Sequence, residues 1–412
     1  MAAPYTWPGV YVEEISSAVQ PIAGVGTSTA AFIGVSADIA AAGMPTNAAG
    51  TAYPQAAALT PVAINSWMEF TQNFGAIQTA NQYLAQAVFG FFNNGGTRCW
   101  VSRISATLTI DLINTALTQL ESIDEVAVVA VPLPPPASAD DNAASQSLLN
   151  QIQSAVVTHC RNMQNRVAIL DSAKDITNDH LVISTDAGGI WRPADDTYGY
   201  GAFYFPWILV ADPTSSTPGA NVAVPPSGHL AGVYARSDAE RGVFKAPANE
   251  VILGALGLQY PVSKILQGTL NLDGVNCIRS FQNNTIKVYG ARTLASHANA
   301  YSEWQYVNVR RLINYLRESI DAGMQWAVFE PNAEDLWSKV RRNVGAFLNA
   351  QWAAGALVGA TPQQAYYVRC DETTNPPDVR ALGQLVTEIG VAPAQPAEFV
   401  IFRLTQWAGP GQ

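Results

Sequence analysis

Short apolar runs and longer amphipathic stretches alternate along most of this chain. Thr29–Val35 (TAAFIGV) has the pattern of a buried strand, and Ala37–Pro61 is a small-residue loop punctuated by Pro and Gly. Ser66–Phe74 and Asn81–Phe92 carry aromatic and aliphatic residues at helical spacing, with Tyr83, Leu84, Ala87, Val88 and Phe91 along one face of the second. Asn93-Asn94-Gly95-Gly96 ends that helix, because these residues accept left-handed backbone angles at little cost, and Arg98–Ile104 (RCWVSRI) is the next strand. The apolar runs Val126–Val131, Val167–Leu170 and Trp207–Val210 lie far enough apart to hold helices between them, which predicts βαβ units and a largely parallel, buried sheet.

After Pro247 the pattern changes. Leu270–Ile278 (LNLDGVNCI) and a hairpin-like pair within Ser280–Gly290 lead into a long amphipathic helix running from about Ser302 to Ala322. Val309, Leu312, Ile313, Leu316 and Ile320 share its apolar face, and Arg310, Asn314, Arg317 and Asp321 fall opposite. A strand at Trp326–Phe329, a second long helix from about Ala333 to Leu357 and a strand at Ala365–Cys370 complete the region. Asn332 is the expected N-cap of the second helix, with Glu334 and Asp335 in its first turn. Its apolar stripe is Trp337, Val340, Val344, Phe347 and Leu348, and Lys339, Arg341 and Arg342 lie outside it.

Both ends of the chain read as strands. Trp7–Ile15 (WPGVYVEEI) and Glu398–Leu404 (EFVIFRL) place β-branched and aromatic residues where chains usually fray. Exposed apolar strands of that kind aggregate unless a surface covers them, and a neighbouring copy of the same chain is the expected surface.

With 412 residues, 48% of them hydrophobic, the chain can bury a large core, and two or three domains are expected. A net charge of −10 with 13% charged residues argues against nucleic acid and anionic membrane as default partners, since both require clustered Lys and Arg. The apolar stretch Gly199–Ala211 is short for a membrane span and broken by Pro206, and no basic-then-apolar leader opens the sequence, so the expected product stays in the cytosol or leaves it by a route other than a signal peptide. Cys99, Cys160, Cys277 and Cys370 show no CxxC spacing, which favours reduced, buried thiols over zinc or disulfides, and His159, His180, His229 and His297 are too scattered for a metal motif.

No phosphate loop, GxSxG elbow or HExxH motif occurs; Gly24–Gly34 (GVGTSTAAFIG) lacks the lysine and spacing of a phosphate cradle and reads as a turn entering a strand. Asp171 and Asp212 follow apolar runs, at the strand edge where open α/β sheets place active sites. A cytosolic α/β hydrolase using Asp171 or Asp212 with His180 or His229 is therefore an alternative, set against the simpler reading of both aspartates, and of Asp195-Asp196, as turn residues. Arg310, Arg311, Arg341 and Arg342 are the sharpest basic feature of an acidic chain, either a solvated helix face or a grip on an acidic partner.

Several segments together carry a family resemblance: PGVYVEEI at Pro8–Ile15, TAAFIG at Thr29–Gly34, SWMEF…FG at Ser66–Gly75, and FFNNGG…CWVSRI at Phe91–Ile104. To these are added GVYARSDAERGVFKAPAN at Gly232–Asn249, LNLDGVNCIRSF at Leu270–Phe281, VYGARTL at Val288–Leu294, the YVNVRRL…WAVFEPN…LW series at Tyr306–Trp337, and GVAPAQPAEFVIFRLTQW at Gly390–Trp407. The chain resembles the contractile tail sheath protein family of contractile phages, R-type pyocin-like bacteriocins and extracellular contractile injection systems. It is compact beside large phage sheaths, which favours a pyocin-like or injection-system member.

The resemblance implies a mixed α/β (α+β) fold with two globular domains and extended terminal arms that add strands to neighbouring subunits. It divides the chain into an amino-terminal arm at 1–20, an α/β sheath domain at 21–255, a carboxyl-terminal sheath domain facing an inner tube at 256–389, and a second arm at 390–412. It further implies a structural protein rather than an enzyme, with no catalytic residues, cofactor or metal. The inter-subunit arm residues would be Val10, Tyr11, Val12, Ile15, Phe399, Val400, Ile401, Phe402 and Leu404, and Lys339, Arg341 and Arg342 would touch the tube. The implied partners are copies of itself in stacked hexameric rings, the inner tube protein, and baseplate and terminal cap proteins, with no nucleic acid and no membrane insertion. Assembly in the bacterial cytoplasm, within a phage tail or a tail-like particle released from the cell, completes the expectation.

Overall fold

The computed structural model describes residues 21–105, 108–134, 143–174, 193–298, 302–399 and 401. By its contacts the chain divides into two units, residues 24–318 with 393–412, and residues 319–392 with 1–23.

The larger unit is built on a nine-stranded sheet. Its core is parallel: β1 (Ala30–Val35) lies between β3 (Cys99–Ile104) and β4 (Val128–Ala130), and β5 (Val167–Asp171), β6 (Gly201–Phe205) and β11 (Val275–Ser280) continue from β4. Antiparallel strands close both edges, β2 (Val62–Ile64) beside β3, and β12 (Ile286–Val288) with β9 (Glu250–Val251) beyond β11. Successive residues of the parallel strands enter different cores. Phe32, Val128, Ile169 and Tyr204 point to one, and Ile33, Val129, Leu170 and Phe205 to the other. The first core is covered by α2 (Gln82–Asn93) and α5 (Ser227–Arg241), joined by α1 (Trp67–Phe74), and the second by α3 (Ile110–Leu120), α4 (Ala143–Met163) and α6 (Lys264–Leu272). A sheet buried on both faces explains why its strands are continuous apolar runs rather than alternating ones.

Helix starts follow local chemistry. Ser66, Thr109 and Ser263 each accept a hydrogen bond from a backbone N–H three residues on, capping α1, α3 and α6. The contact between α2 and α5 depends on small residues: a Cβ at Gly228 would overlap the Ala87 backbone, and one at Gly232 the Phe91 carbonyl.

Two sequence expectations are corrected. Trp207–Val210 does not join the parallel sheet; Gly201–Phe205 takes that place. Pro206 has no N–H to extend a ladder, and β7 (Ile208–Ala211) instead pairs with β8 (Asn221–Val224) and β10 (Gly257–Leu258) in a separate antiparallel sheet. The segment Leu270–Ile278, given no element from sequence, splits between a helix that Ser263 caps and that runs to Leu272 and a strand that begins at Val275. Finally, Trp326–Phe329 forms no strand: Gln325–Ala327 is a single tight helical turn, and Phe329 adopts φ +69°.

The long helix α7 (Val307–Met324) spans the division between the units. In the smaller unit, α8 (Glu334–Ala353) packs with a two-stranded antiparallel sheet of β13 (Tyr366–Arg369) and β14 (Glu388–Val391). Tyr366 Oη donates to the Gly345 carbonyl, which fixes strand against helix. Asn332 is not the N-cap of α8. Ala333 holds that position, and Asn332 instead donates to the Gln384 carbonyl and accepts from Trp337 Nε1 at 2.7 Å each.

Candidate functional site

Asp171 ends β5, where sequence placed it, but the hydrolase constellation does not form. Ser227 donates its backbone N–H to Asp171 Oδ1 at 2.8 Å and its hydroxyl to Oδ2 at 2.5 Å, so the carboxyl group at the end of β5 caps the start of α5. Burial pushes this carboxyl up to about 7, against the lowering effect of the two Ser227 bonds. His229 is buried against Gly90, away from any carboxylate partner, and burial pushes its pKa down to about 4. It stands two positions after Ser227 on a helix, so the two side chains diverge. Asp212 accepts from Thr214 N and Oγ1 at 2.9 and 2.6 Å, an ordinary turn, and Asp196 is a buried turn carboxylate accepting from Tyr198 and Tyr200 backbone N–H groups. His180 lies outside the described residues.

Arg310 and Arg311 of α7 turn inward. Arg310 is stacked between Trp304 and Tyr200, with its guanidinium carbon 4.0 and 4.5 Å from the ring centroids, and its Nε donates to Asn314 Oδ1. Arg311 clasps Asp238 through Nη1 and Nη2 at 2.9 and 2.5 Å and lies over the Tyr234 ring. The expected solvated face of α7, offered as a grip on an acidic partner, is therefore interior at Arg310, Arg311 and Asn314, because carboxylate, ring and amide partners compensate each charge there. Arg317 does remain exposed and donates to Gln164.

On α8 the three cations separate. Arg341 bonds within its own unit, to Glu334 Oε1 at 2.7 Å, Ser338 Oγ and the Cys370 carbonyl. Lys339 is half-buried and Arg342 is exposed, and neither forms an ion pair among the described residues.

Val10, Tyr11, Val12, Ile15, Val400, Phe402 and Leu404 lie outside the described residues, but the roots of both arms are defined. At the carboxyl-terminal root, the Glu398 carboxylate accepts from Arg292 Nη2 at 2.7 Å and Nε at 3.0 Å, Asn271 Nδ2 at 2.5 Å and Tyr306 Oη at 3.0 Å. Burial pushes this carboxyl up, yet the Arg292 and Asn271 hydrogen bonds and the Arg292 charge outweigh it and hold the pKa below the ordinary glutamate value. Immediately beyond, Phe399 and Ile401 are 70% and 78% exposed. At the amino-terminal root, Thr27 Oγ1 donates to Asp238 Oδ2 at 2.6 Å and its carbonyl accepts from Arg311 Nη2 at 3.1 Å. Sequence reasoning marked the arms and missed these fastenings. Its available signal was Glu398 itself, a lone carboxylate opening an apolar strand.

Large apolar side chains left exposed at Phe399 and Ile401, just beyond an ion-paired root, are what an assembling subunit presents to a neighbour. The phage tail sheath central domain matches residues 113–294, and the phage tail sheath C-terminal domain matches residues 300–406. The chain belongs to the contractile tail sheath family. The tail sheath protein of Vibrio phage KVP40 is 28% identical over 180 residues, covering 43% of this chain and 26% of that one. Across the matched phage and prophage sheath relatives, the aligned region spans 26% to 51% of their length. The sheath complex of an extracellular contractile injection system, PVC, in its contracted state is 28% identical and covers 99% of each chain with a TM-score of 0.73. A chain of the anti-feeding prophage baseplate is 25% identical, with a TM-score of 0.73 over 98% of this chain and 99% of that one. Contractile sheath proteins are structural, and the hydrolase alternative is overturned. No helix among the described residues is long and apolar enough to cross a membrane.

Proposed function

We propose that this chain polymerises with its own copies as stacked hexameric rings around an inner tube, and that contraction of the resulting sheath drives the tube through a target envelope. The observation that carries this reading is the exposure of Phe399 and Ile401 just outside a root that is itself held in place. Two large exposed apolar side chains at alternate positions need a cover, and a sheet edge of a sister subunit would supply backbone partners and a face together. Among the described residues β13 and β14 pair only with each other, so each offers an outer edge for such an added strand. The arm residues are those named from sequence, Val10, Tyr11, Val12 and Ile15 at one end and Phe399, Val400, Ile401, Phe402 and Leu404 at the other, flanking a globular body over 21–389.

Contraction requires no nucleotide in this scheme. Two packings of the same subunits differ in free energy, and the extended one is filled at assembly and released from one end, as bistable interfaces permit. Tethers that persist while the bodies rotate keep the lattice connected. Lys339, Arg341 and Arg342 are assigned to the tube contact, with Arg342 the outermost. Baseplate and cap proteins are the expected end partners, and the near full-length likeness to PVC and anti-feeding prophage chains favours an extracellular injection device assembled in the bacterial cytoplasm. Negative-stain microscopy of the purified protein tests the proposal: sheath-like tubes are expected, alone or with the tube protein added, and small closed oligomers under both conditions would refute it.

A further inference from the structure

We infer that the start of α7 is one node to which both arms of a subunit are fastened, so that load arriving along either arm enters the body at a single helix face, through the Arg311–Asp238 ion pair at one root and the Asn308 hydrogen bond at the other. Only the identity of the load rests on the sheath reading; the fastening belongs to the isolated chain. Three residues at helical spacing i, i+3 and i+7 carry it: Asn308, Arg311 and Tyr315. Asn308 Nδ2 donates to the Ala394 carbonyl at 3.1 Å, four residues before Glu398. Arg311 donates to the Thr27 carbonyl while clasping Asp238, which in turn accepts from Thr27 Oγ1. Tyr315 lies so close to Gly24 that a Cβ there would overlap its phenol oxygen. Tyr306, the residue before α7, completes the set by donating to Glu398, which Arg292 and Asn271 hold from the other side.

The pattern has a mechanical consequence. Charge-assisted bonds to a carboxylate hold direction as well as distance, and removing one partner of a buried pair leaves the other uncompensated. Residues 24–27 and 394–398 therefore move with α7, and strand exchange is confined to residues before 24 and after 398. A rotation of the body carries both arm roots through the same displacement, which keeps the two tethers of one subunit in step.

Hydrogen exchange on the unassembled full-length chain tests the node, comparing wild type with Glu398→Gln and Thr27→Val. Glu398→Gln is expected to speed exchange at residues 394–398 about tenfold, and to raise it at residues 24–28 as well. Thr27→Val is expected to act in the opposite direction, from the amino-terminal root to the carboxyl-terminal one. A rise confined to the altered root would overturn the shared node, as would a uniform rise over the whole chain. Combining Arg292→Glu with Glu398→Arg should return protection to both roots, and a folded double variant that leaves them open would also overturn it. Should that pair fail to fold, Tyr306→Phe removes one donor and no charge, and the same coupled rise at smaller amplitude decides the matter. No sheath is needed for the measurement, so a wild-type chain that never polymerises would refute the proposed function and leave this result standing.

Discussion

The carboxyl group of Asp171, at the end of β5, receives both the backbone N–H and the hydroxyl of Ser227, at 2.8 and 2.5 Å, and thereby caps α5 from another element. The group is buried without a cation among these partners, and its pKa is raised from 3.8 to about 7. The folded chain keeps this proton up to about pH 7, whereas the unfolded chain releases it near pH 3.8. Its contribution to stability is therefore complete below about pH 4 and lost as pH rises through 7. Asp171→Asn, which retains the accepting oxygen for the Ser227 N–H, should remove that slope. The difference in melting temperature between variant and wild type is expected to grow in the variant's favour from pH 5 to 8. Taking the difference cancels the opposite effect of His159 and His229, both pushed down to about 4.

Gly232→Ala should destabilise the fold by ~1–3 kcal/mol, because the new methyl group meets the Phe91 carbonyl, a backbone atom that cannot step aside. Chemical denaturation gives the value. An unchanged midpoint would mean that α2 and α5 can separate without cost.

Deleting residues 1–16 should leave the thermal transition of the body intact and abolish long tubes in electron micrographs. Normal tubes from the deletion would remove the tether role from the amino-terminal arm.

Ile401→Asp separates folding from assembly at the other end. Ile401 is 78% exposed in the isolated chain, so the charge costs the monomer about nothing, within ~0.5 kcal/mol. In a covered strand the same charge loses its water, and sheath assembly should fail. Sedimentation of assembled material at equal monomer stability is the readout, and wild-type yields would contradict the covered strand.

Arg341→Glu and Arg342→Glu should behave differently. The first breaks contacts to Glu334, Ser338 and the Cys370 carbonyl, and is expected to cost ~1 kcal/mol of stability at this partly exposed site. The second leaves the fold unchanged and weakens assembly around the tube protein. If Arg342→Glu co-assembles like wild type, the tube contact lies elsewhere.

Much of the architecture was legible because burial writes itself into the sequence. Thr29–Val35, Val126–Val131 and Val167–Leu170 are apolar on both faces, and each supplies a parallel strand of the central sheet. Periodicity failed where a single residue changed the partner. Pro206 moved Ile208–Ala211 into another sheet, and the Trp326–Phe329 run, lacking a ladder partner, wound into a turn. Asn332 shows the same limit at smaller scale: an amide suited to a cap found a better pair of bonds, at Gln384 and Trp337.

The sequence by itself determined the two-sided sheet, the long helices and the family, since these depend on local spacing and on which side chains leave water. Tertiary structure alone decided the fate of the charges. Arg310 and Arg311 looked like a solvated face and are interior, and Glu398 looked like the first residue of a free strand and is fixed to Arg292, Asn271 and Tyr306. An ion pair joins residues 106 positions apart in the case of Arg292 and Glu398, and its formation depends on distance and desolvation in the folded chain, neither of which any local pattern encodes.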